Sequence, residues 1–243
     1  NGTNWKGKLY LLMDMGLEGK VAIITGGASG LGRETAIYLA REGARVIIGD
    51  INPQHIDEVV GEVKALGVEA DGLTCDVTKY ADCERLANAA AQRFGRIDVL
   101  VASAGVGGAN TFFLDSKPAD WERTIDVNIR GVFNINRAVA PHMVEHRDGA
   151  IINLASEAAK IAEKRITVYA ASKGAVISFS KAFALEMGRF NIRVNAVCPG
   201  VTRTPMTSRF GEPGSERYEA AAKLYPLGRL GEPEDIASMI TFL

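Results

Sequence analysis

A tyrosine and a lysine lie four residues apart in the segment VYAASKGAV, which spans residues 168–176. Residues at this spacing share one face of a helix, and the small apolar neighbours favour a helix here. Tyrosine alone is a poor general base at neutral pH because its ordinary pKa is about 10. A lysine ammonium about 4 Å away favours the phenolate by about 4 kcal/mol at an effective dielectric of about 20. Tyr169 and Lys173 therefore predict a proton-transfer pair suited to alcohol oxidation, with an ordinary helix surface as the alternative.

A glycine-rich turn, TGGASGLG at residues 25–32, follows an apolar run. Gly26, Gly30 and Gly32 have no Cβ, so the backbone can turn sharply there and approach a ligand. The N–H groups of the helix that follows would face a pyrophosphate. The spacing differs from that of the common dinucleotide fingerprint, and the lysine ending of a triphosphate loop is absent. The turn indicates a dinucleotide site, with tight helix–strand packing as the alternative.

Acidic residues close the second and third apolar runs. Asp50 follows Gly26 by 24 residues. A carboxylate in this position accepts hydrogen bonds from the adenosine ribose hydroxyls and repels a 2′-phosphate, which favours NAD over NADP. Asp76 ends the next run and is predicted to contact the adenine edge. A solvated acid at a strand end is the alternative for both residues.

These residues must be positioned by strands that alternate with helices. Helical patterns cover residues 31–42, 54–66, 79–94, 118–146 and 168–188. Apolar β-branched runs predict buried strands at 20–25, 44–50, 98–104, 150–155 and 192–197, with a weaker strand at 68–76. This alternation predicts an α/β fold: a doubly wound, Rossmann-type parallel sheet with helices on both faces. Residues 201–226, which are rich in glycine and proline, are predicted to form an excursion over the carboxyl edge of the sheet.

Composition excludes several other classes of protein. The chain has 243 residues and a formal net charge of -1, without the basic footprint of a nucleic-acid or membrane-surface binder. No apolar run approaches the ~20 residues that span a bilayer. Three scattered cysteines, Cys75, Cys83 and Cys198, indicate reduced thiols and a cytoplasmic protein. The histidines, His55, His142 and His146, lack ligand partners, so no metal is expected.

The chain is expected to form one domain over residues 15–243. Residues 1–14 are interpreted as an N-terminal extension or a remnant of expression, with Met15 as the native start. No internal repeat or low-complexity linker interrupts the pattern.

The order of the motifs resembles that of the short-chain dehydrogenase/reductase family in its standard single-domain form. The resemblance covers roughly residues 18–243, through TGGASGLG, Asp50, DVLVASAG, DVNIRG, INLAS, YAASK and RVNAVCPGVTRT. It implies an NAD-dependent oxidoreductase that interconverts a secondary alcohol and a ketone by hydride transfer. It also implies a homo-oligomer, a tetramer or a dimer.

The resemblance assigns roles by position. Tyr169 is implied as the catalytic acid/base, and Lys173 is implied to lower its pKa and hold the nicotinamide ribose. Ser156 is implied to hydrogen-bond the substrate oxygen, and Asn128 to support a water that links Lys173 to solvent. The implied cofactor contacts are Gly26, Ser29, Gly30, Leu31, Gly32, Asp50, Ile51, Asp76, Val77, Ala102, Ala104, Gly105, Tyr169, Lys173, Pro199, Gly200, Thr202 and Thr204.

Two departures from the family pattern stand out. The family's Asn-Asn-Ala-Gly is replaced by Ala102-Ser103-Ala104-Gly105, and Ala102 cannot pin the strand or the adenosine half of the cofactor as an asparagine does. The last residues, GEPEDIASMITFL, are helical in pattern where family members usually continue to a seventh strand at the sheet edge. Six strands are therefore expected, with the seventh absent from this sequence or from the protein.

Other functions stay open from the sequence. A non-catalytic NAD-binding regulator is disfavoured because the tyrosine and lysine are both present, and a lyase or epimerase on the same fold is a further alternative. Several basic residues flank the predicted pocket and allow an anionic substrate, such as a hydroxy acid or a hydroxyacyl-CoA ester: Lys160, Lys164, Arg165, Arg203 and Arg209. Solvated surface charges are the competing interpretation.

Overall fold

The computed structural model describes residues 14–161 and 163–243, so the predicted extension lies outside the described residues except for Asp14. One six-stranded parallel sheet has the order β3-β2-β1-β4-β5-β6. Its strands are β1 Val21–Thr25, β2 Arg45–Asp50, β3 Ala70–Thr74, β4 Val99–Ala102, β5 Gly149–Leu154 and β6 Ile192–Val197. The helices are α1 Gly30–Arg41, α2 Pro53–Ala65, α3 Tyr80–Phe94, α4 Pro118–Ile125, α5 Gly131–His146, α6 Thr167–Met187, α7 Glu216–Ala222 and α8 Pro233–Phe242.

The sheet has a hydrophobic core on each face, which confirms the predicted doubly wound architecture. Side chains alternate along a strand, so Val21 and Ile23 of β1 belong to one core and Ala22 and Ile24 to the other. The first core lies under α3, α5 and α6, and the second under α1, α2 and α8. Burial on both faces explains why the first four residues of β1 are all apolar.

The predicted single helix over 118–146 is wrong in one respect. Helix α4 ends at Ile125, a π-helical turn covers Asp126–Arg130, and α5 begins at Gly131. The N–H of Gly131 bonds to the carbonyl of Asp126, five residues back. Such a turn inserts one residue into a helix and often marks a functional site. Apolar periodicity does not reveal it because the helical pattern continues on both sides.

The loops at the carboxyl ends of the strands are longer than the sequence predicts. The strand predicted at 98–104 ends at Ala102, and the one predicted at 68–76 covers only Ala70–Thr74. The predicted excursion contains a 3₁₀ helix, Pro205–Phe210, and α7. Its residues Phe210, Tyr218 and Tyr225 pack in a small apolar cluster, which Leu230 joins from just beyond the excursion.

Candidate active site

A large groove opens at the carboxyl ends of β1, β2, β3 and β4, with a cavity volume of about 560 Å³. Ligands of doubly wound sheets bind in this crevice, where the strand order reverses beside the first strand. Eleven of the predicted cofactor contacts line it: Gly26, Ser29, Gly30, Leu31, Asp50, Ile51, Asp76, Val77, Ala104, Gly105 and Thr204.

The floor of the groove is the glycine turn between β1 and α1. Gly26 has a φ of +64°, and a Cβ on it would lie 2.7 Å from the Cα of Ala104. Any other residue there would be strained and would collide with the loop after β4. Ser29 precedes α1 without capping it through its side chain, so the first N–H groups of the helix are free for an anion. The turn therefore fits a dinucleotide pyrophosphate.

Asp50 lies at the end of β2 on the groove wall. One carboxylate oxygen accepts the N–H of Ala28 at 3.1 Å, and the other accepts the N–H of Asn52 at 3.2 Å. These bonds fix the carboxylate against the glycine turn, and its remaining lone pairs can accept the ribose hydroxyls of a cofactor. The residues present thus fit the adenosine half of a nicotinamide dinucleotide.

Seven predicted cofactor contacts do not line the groove, although the structure describes all of them: Gly32, Ala102, Tyr169, Lys173, Pro199, Gly200 and Thr202. A Cβ on Gly32 would collide with the carbonyl of Gly26, so this glycine serves the packing of α1 on the turn. Ala102 is 2% exposed and belongs to the apolar core. Thr202 is buried and donates to the carbonyl of Gly200. The replacement of the family's asparagine by Ala102 therefore changes a residue of the core and not one that lines the groove.

Some groove residues were missed by the sequence analysis. They are Cys75, Thr78, Ser103, Val106, Arg123, Val127, Pro205 and Met206. Cys75, Thr78, Ser103 and Val106 follow strand ends, which is the signal that could have found them. Arg123 comes from α4, and nothing in the sequence points to it.

Ser156 and Tyr169 line a second, smaller cavity of about 90 Å³. Ser156 lies two residues after the end of β5, and Tyr169 lies in the first turn of α6. Met206 of the excursion lines both this cavity and the groove, so the two adjoin. A substrate in the small cavity would meet the serine and tyrosine hydroxyls together.

Lys173 is buried one turn after Tyr169, with 5% of its surface exposed. Its Nζ donates to the carbonyl of Leu154 at 2.7 Å and lies 5.9 Å from the centroid of the Tyr169 ring. Burial lowers the pKa of Lys173 to about 8, because desolvation disfavours the ammonium. The pair shares one helix face as predicted.

The pKa of Tyr169 departs from the expectation. Burial raises the pKa of this phenol, and the polar Ser156 side chain opposes the rise. The expected lowering by Lys173 is therefore not found among the protein's own groups. The lysine ammonium bonds to Leu154 instead, and its separation from the phenol weakens the Coulomb attraction.

Asn128 lies fully buried in the π-helical turn. Its Oδ1 accepts the N–H of Val106 at 2.8 Å, and its Nδ2 donates to the Val106 carbonyl at 2.9 Å and to Ser172 at 3.1 Å. A Cβ on Gly105 would lie 3.3 Å from Asn128 Oδ1 and 3.4 Å from Lys173 Nζ. Asn128 thus fastens the loop after β4 to α6, and the water relay stays a prediction.

The five basic residues that flank the predicted pocket in sequence lie in different parts of the structure. Arg209 lines the cavity with Ser156, whereas Arg165 lines a neighbouring crevice with Trp121. Arg203 forms ion pairs with Glu212 at 2.7 Å and Glu232 at 3.0 Å. In the described part of the chain, Lys160 and Lys164 line neither cavity. Of these five residues, Arg209 lines the cavity of Ser156, and Glu157 and Glu163 line it too, so the cavity holds charges of both signs.

Within residues 14–161 and 163–243, no group of three His, Cys, Asp or Glu side chains is arranged to hold a metal ion. In the same ranges, no helix has both the length and the apolar character needed to cross a bilayer. Cys75, Cys83 and Cys198 are free thiols.

A doubly wound sheet with a dinucleotide groove beside a serine–tyrosine cavity defines a nicotinamide-dependent oxidoreductase. Residues 20–213 match the family model described as short chain dehydrogenase, and the chain belongs to this family. The chain therefore belongs with enzymes that interconvert hydroxyl and ketone groups.

Relatives and solved structures agree with this assignment. The chain is 42% identical to 3-oxoacyl-(acyl-carrier-protein) reductase FabG of Thermotoga maritima, over 94% of this chain and 92% of the relative. It is 39% identical to (2S)-((R)-hydroxy(phenyl)methyl)succinyl-CoA dehydrogenase subunit BbsD of Thauera aromatica, over 94% and 90%. A crystal structure of NAD⁺-bound xylitol dehydrogenase superposes with a TM-score of 0.88 at 31% identity, over 93% of this chain and 92% of the other.

Proposed function

We propose that the protein is an NAD-dependent dehydrogenase or ketoreductase that interconverts a secondary alcohol and a ketone. The observation that carries the proposal is the junction of the two cavities, with Asp50 at one end and Ser156 and Tyr169 at the other. NAD supplies the hydride acceptor when bound. The protein supplies binding, orientation and proton transfer.

The preference for NAD rests on Asp50. Its carboxylate is fixed by the N–H groups of Ala28 and Asn52 and faces the groove. A ribose with two hydroxyls donates to a carboxylate, whereas a 2′-phosphate is repelled by it. Gly26, Gly30 and the N-terminus of α1 would hold the pyrophosphate. Thr204, which precedes the 3₁₀ helix Pro205–Phe210, lines the side of the groove formed by the excursion.

Tyr169 transfers the proton, and Ser156 lines the same cavity beside it. Because burial raises the pKa of Tyr169, the phenol holds its proton at neutral pH and can donate it to a carbonyl oxygen. Removal of a proton from an alcohol needs additional stabilisation of the phenolate. The positive charge of oxidised nicotinamide provides such stabilisation when the cofactor is bound. Lys173 joins α6 to the end of β5 through its hydrogen bond to the carbonyl of Leu154.

Acyl thioesters are a second candidate class of substrate. The two relatives described above carry acyl-carrier-protein and CoA compounds in their names, and Arg209 lines the cavity. Arginine suits the phosphate groups that such compounds carry. The single-domain organisation, cytoplasmic location and homo-oligomeric state predicted from the sequence stay predictions.

A substrate panel tests the proposal. Reduction of NAD⁺ is followed with secondary alcohols, sugars, hydroxy acids and hydroxyacyl-CoA esters, and the best substrate is then measured with NADP⁺. We expect turnover with at least one class and a kcat/KM that favours NAD⁺. A kcat/KM in favour of NADP⁺ would overturn the cofactor assignment, and failure of every alcohol and ketone would overturn the reaction.

A further inference from the structure

Glu157 follows the Ser156 position directly and contributes its carboxylate to the same cavity. It lies in the short 3₁₀ turn Glu157–Ala159, and its backbone N–H donates to the carbonyl of Pro199 at 2.9 Å. Its side chain fills the space that a Cβ on Gly200 would need, since Oε2 lies 3.0 Å from that position. The carboxylate is therefore held between the Ser156 loop and the segment after β6.

One oxygen of this carboxylate is fixed by the excursion. Tyr225 donates its hydroxyl proton to Glu157 Oε1 at 2.8 Å and accepts the N–H of Val201 at 3.2 Å. Burial and the bond to Glu157 raise the pKa of Tyr225 to about 12, so its hydroxyl stays a donor at working pH. These two hydrogen bonds, from Val201 to Tyr225 and from Tyr225 to Glu157, fix the orientation of the carboxylate.

The other oxygen of this carboxylate, Oε2, is available to a ligand. Among residues 14–161 and 163–243, no protein group donates a hydrogen bond to Glu157 Oε2. Glu157 is only partly buried, so water can pair this oxygen in the free protein. A substrate donor that replaces the water forms a bond stronger than that between neutral groups. Glu163 and Arg209, which also line the cavity, contribute one charge of each sign. The cavity as a whole therefore carries an excess of negative charge.

We propose that Glu157 is a specificity-determining residue that accepts a hydrogen bond from a second donor on the substrate, a hydroxyl or an ammonium on the carbon next to the reacting carbinol. This inference rests on the proposed function, because Ser156 and Tyr169 define where the carbinol lies. A substrate without that donor leaves the carboxylate oxygen unpaired and desolvated, so it is rejected. A neighbouring carboxylate is repelled.

The test uses four probes on one skeleton: sec-butanol and its derivatives with a hydroxyl, an ammonium or a carboxylate on the neighbouring carbon. With NAD⁺ and the wild-type chain, we expect kcat/KM for the diol or the amino alcohol to exceed that for sec-butanol by about tenfold or more, as for a hydrogen bond to a charged group. We expect the carboxylate derivative to be the poorest substrate. The better of the diol and the amino alcohol identifies the donor as hydroxyl or ammonium.

Glu157→Gln is the central variant because its amide oxygen can still accept the Tyr225 hydroxyl while the charge is lost. We expect the preference over sec-butanol to fall below about threefold. Tyr225→Phe keeps the carboxylate but releases its orientation, and we expect an intermediate ratio. Glu186→Gln, on the exposed side of α6, is the matched control and should keep the wild-type ratio.

Equal kcat/KM for the diol, the amino alcohol and sec-butanol in the wild type would overturn the inference, as would a ratio that Glu157→Gln leaves unchanged. Failure of the wild type to oxidise any probe or any member of the wider substrate panel contradicts the proposed function instead. Calorimetric binding of the same probes to the NADH-loaded wild type and variant then decides the inference without turnover. Binding that does not distinguish the diol or the amino alcohol from sec-butanol would count against it.

Discussion

The cofactor groove and the substrate cavity are built in different ways. The groove is formed largely by backbone at the ends of neighbouring strands, with Gly26 pressed against Ala104 and Asp50 tied to Ala28. The substrate cavity is formed by side chains from distant parts of the chain, such as Glu157 and Arg209. Backbone approach demands particular residue types at fixed spacing, whereas side-chain pairs can form between any two segments that the fold brings together. The cofactor half is therefore the more constrained of the two.

The strongest way to test this comparison is to remove the proton-transfer group while leaving the groove intact. We expect Tyr169→Phe to lower kcat by at least about 100-fold, which is the range for loss of a general acid or base. The dissociation constant of NAD should change little, because Tyr169 lines the substrate cavity and not the groove. Steady-state kinetics and a fluorescence titration with NADH measure the two effects. Turnover close to wild type would show that the tyrosine is not the proton donor.

Buried Lys173 links the two halves and predicts a dependence of stability on pH. Its pKa of about 8 in the folded protein lies below its ordinary value of 10.5. The unfolded chain therefore binds more protons between these values, and this group's contribution to stability rises as pH increases through that window. The full change is on the order of 3 kcal/mol.

The matched comparison for this effect is Lys173→Met, which keeps the length of the side chain but cannot titrate. We expect the free energy of unfolding of the wild type, minus that of the variant, to increase by about 3 kcal/mol between pH 7.5 and 10.5. Urea unfolding across this range measures the difference, and the other titrating groups cancel in it. A difference that stays constant with pH would mean that the lysine is not desolvated.

A smaller effect is expected at the adenosine end of the groove. Asp50→Ala removes the acceptor for the ribose hydroxyls and also the carboxylate that repels a 2′-phosphate. We expect the KM for NAD⁺ to rise about tenfold, as for loss of a hydrogen bond to a charged group, and the preference over NADP⁺ to narrow. Asp71→Ala, a half-buried acid of β3 paired with Arg93 outside the groove, is the control. If both variants keep the wild-type ratio, Asp50 does not set cofactor choice.

What the sequence could predict follows the same division. The existence and order of the six strands, the glycine turn after β1 and the position of Asp50 at the end of β2 follow the prediction, because each is a local pattern with a local physical reason. The π-helical turn around Asn128 was missed because one inserted residue leaves the apolar pattern on both sides intact. The bond between Glu157 and Tyr225 joins residues 68 positions apart, and no spacing rule applies to such a pair. Ala102 was assigned to the cofactor by resemblance, but its side chain points into the core.

The smallest expected effect concerns the basic residues of the substrate half. From the sequence, Arg165→Ala should raise the KM for an anionic substrate. In the structure, the guanidinium of Arg165 lies 5.2 Å from the centroid of the Phe112 ring, and the residue lines the crevice with Trp121. Its φ is +73°, so alanine leaves the same backbone strain and the comparison isolates the side chain. The structure therefore changes the expectation to a KM change of less than about twofold, because a solvated charge beyond the cavity is screened over about 8 Å at physiological salt.

Arg209→Ala is the partner variant that makes this test decisive. Arg209 lines the cavity with Ser156 and Tyr169, so its removal leaves Glu157 and Glu163 as the charged residues that line it. We expect the KM for a hydroxy acid to rise more with Arg209→Ala than with Arg165→Ala, with kcat little changed, which is the pattern of lost uniform binding. KM values for one hydroxy acid and its neutral analogue, at low and high salt, measure the effect. A larger effect from Arg165→Ala would mean that the substrate binds in the crevice beside Trp121 and not in the cavity lined by Ser156 and Arg209.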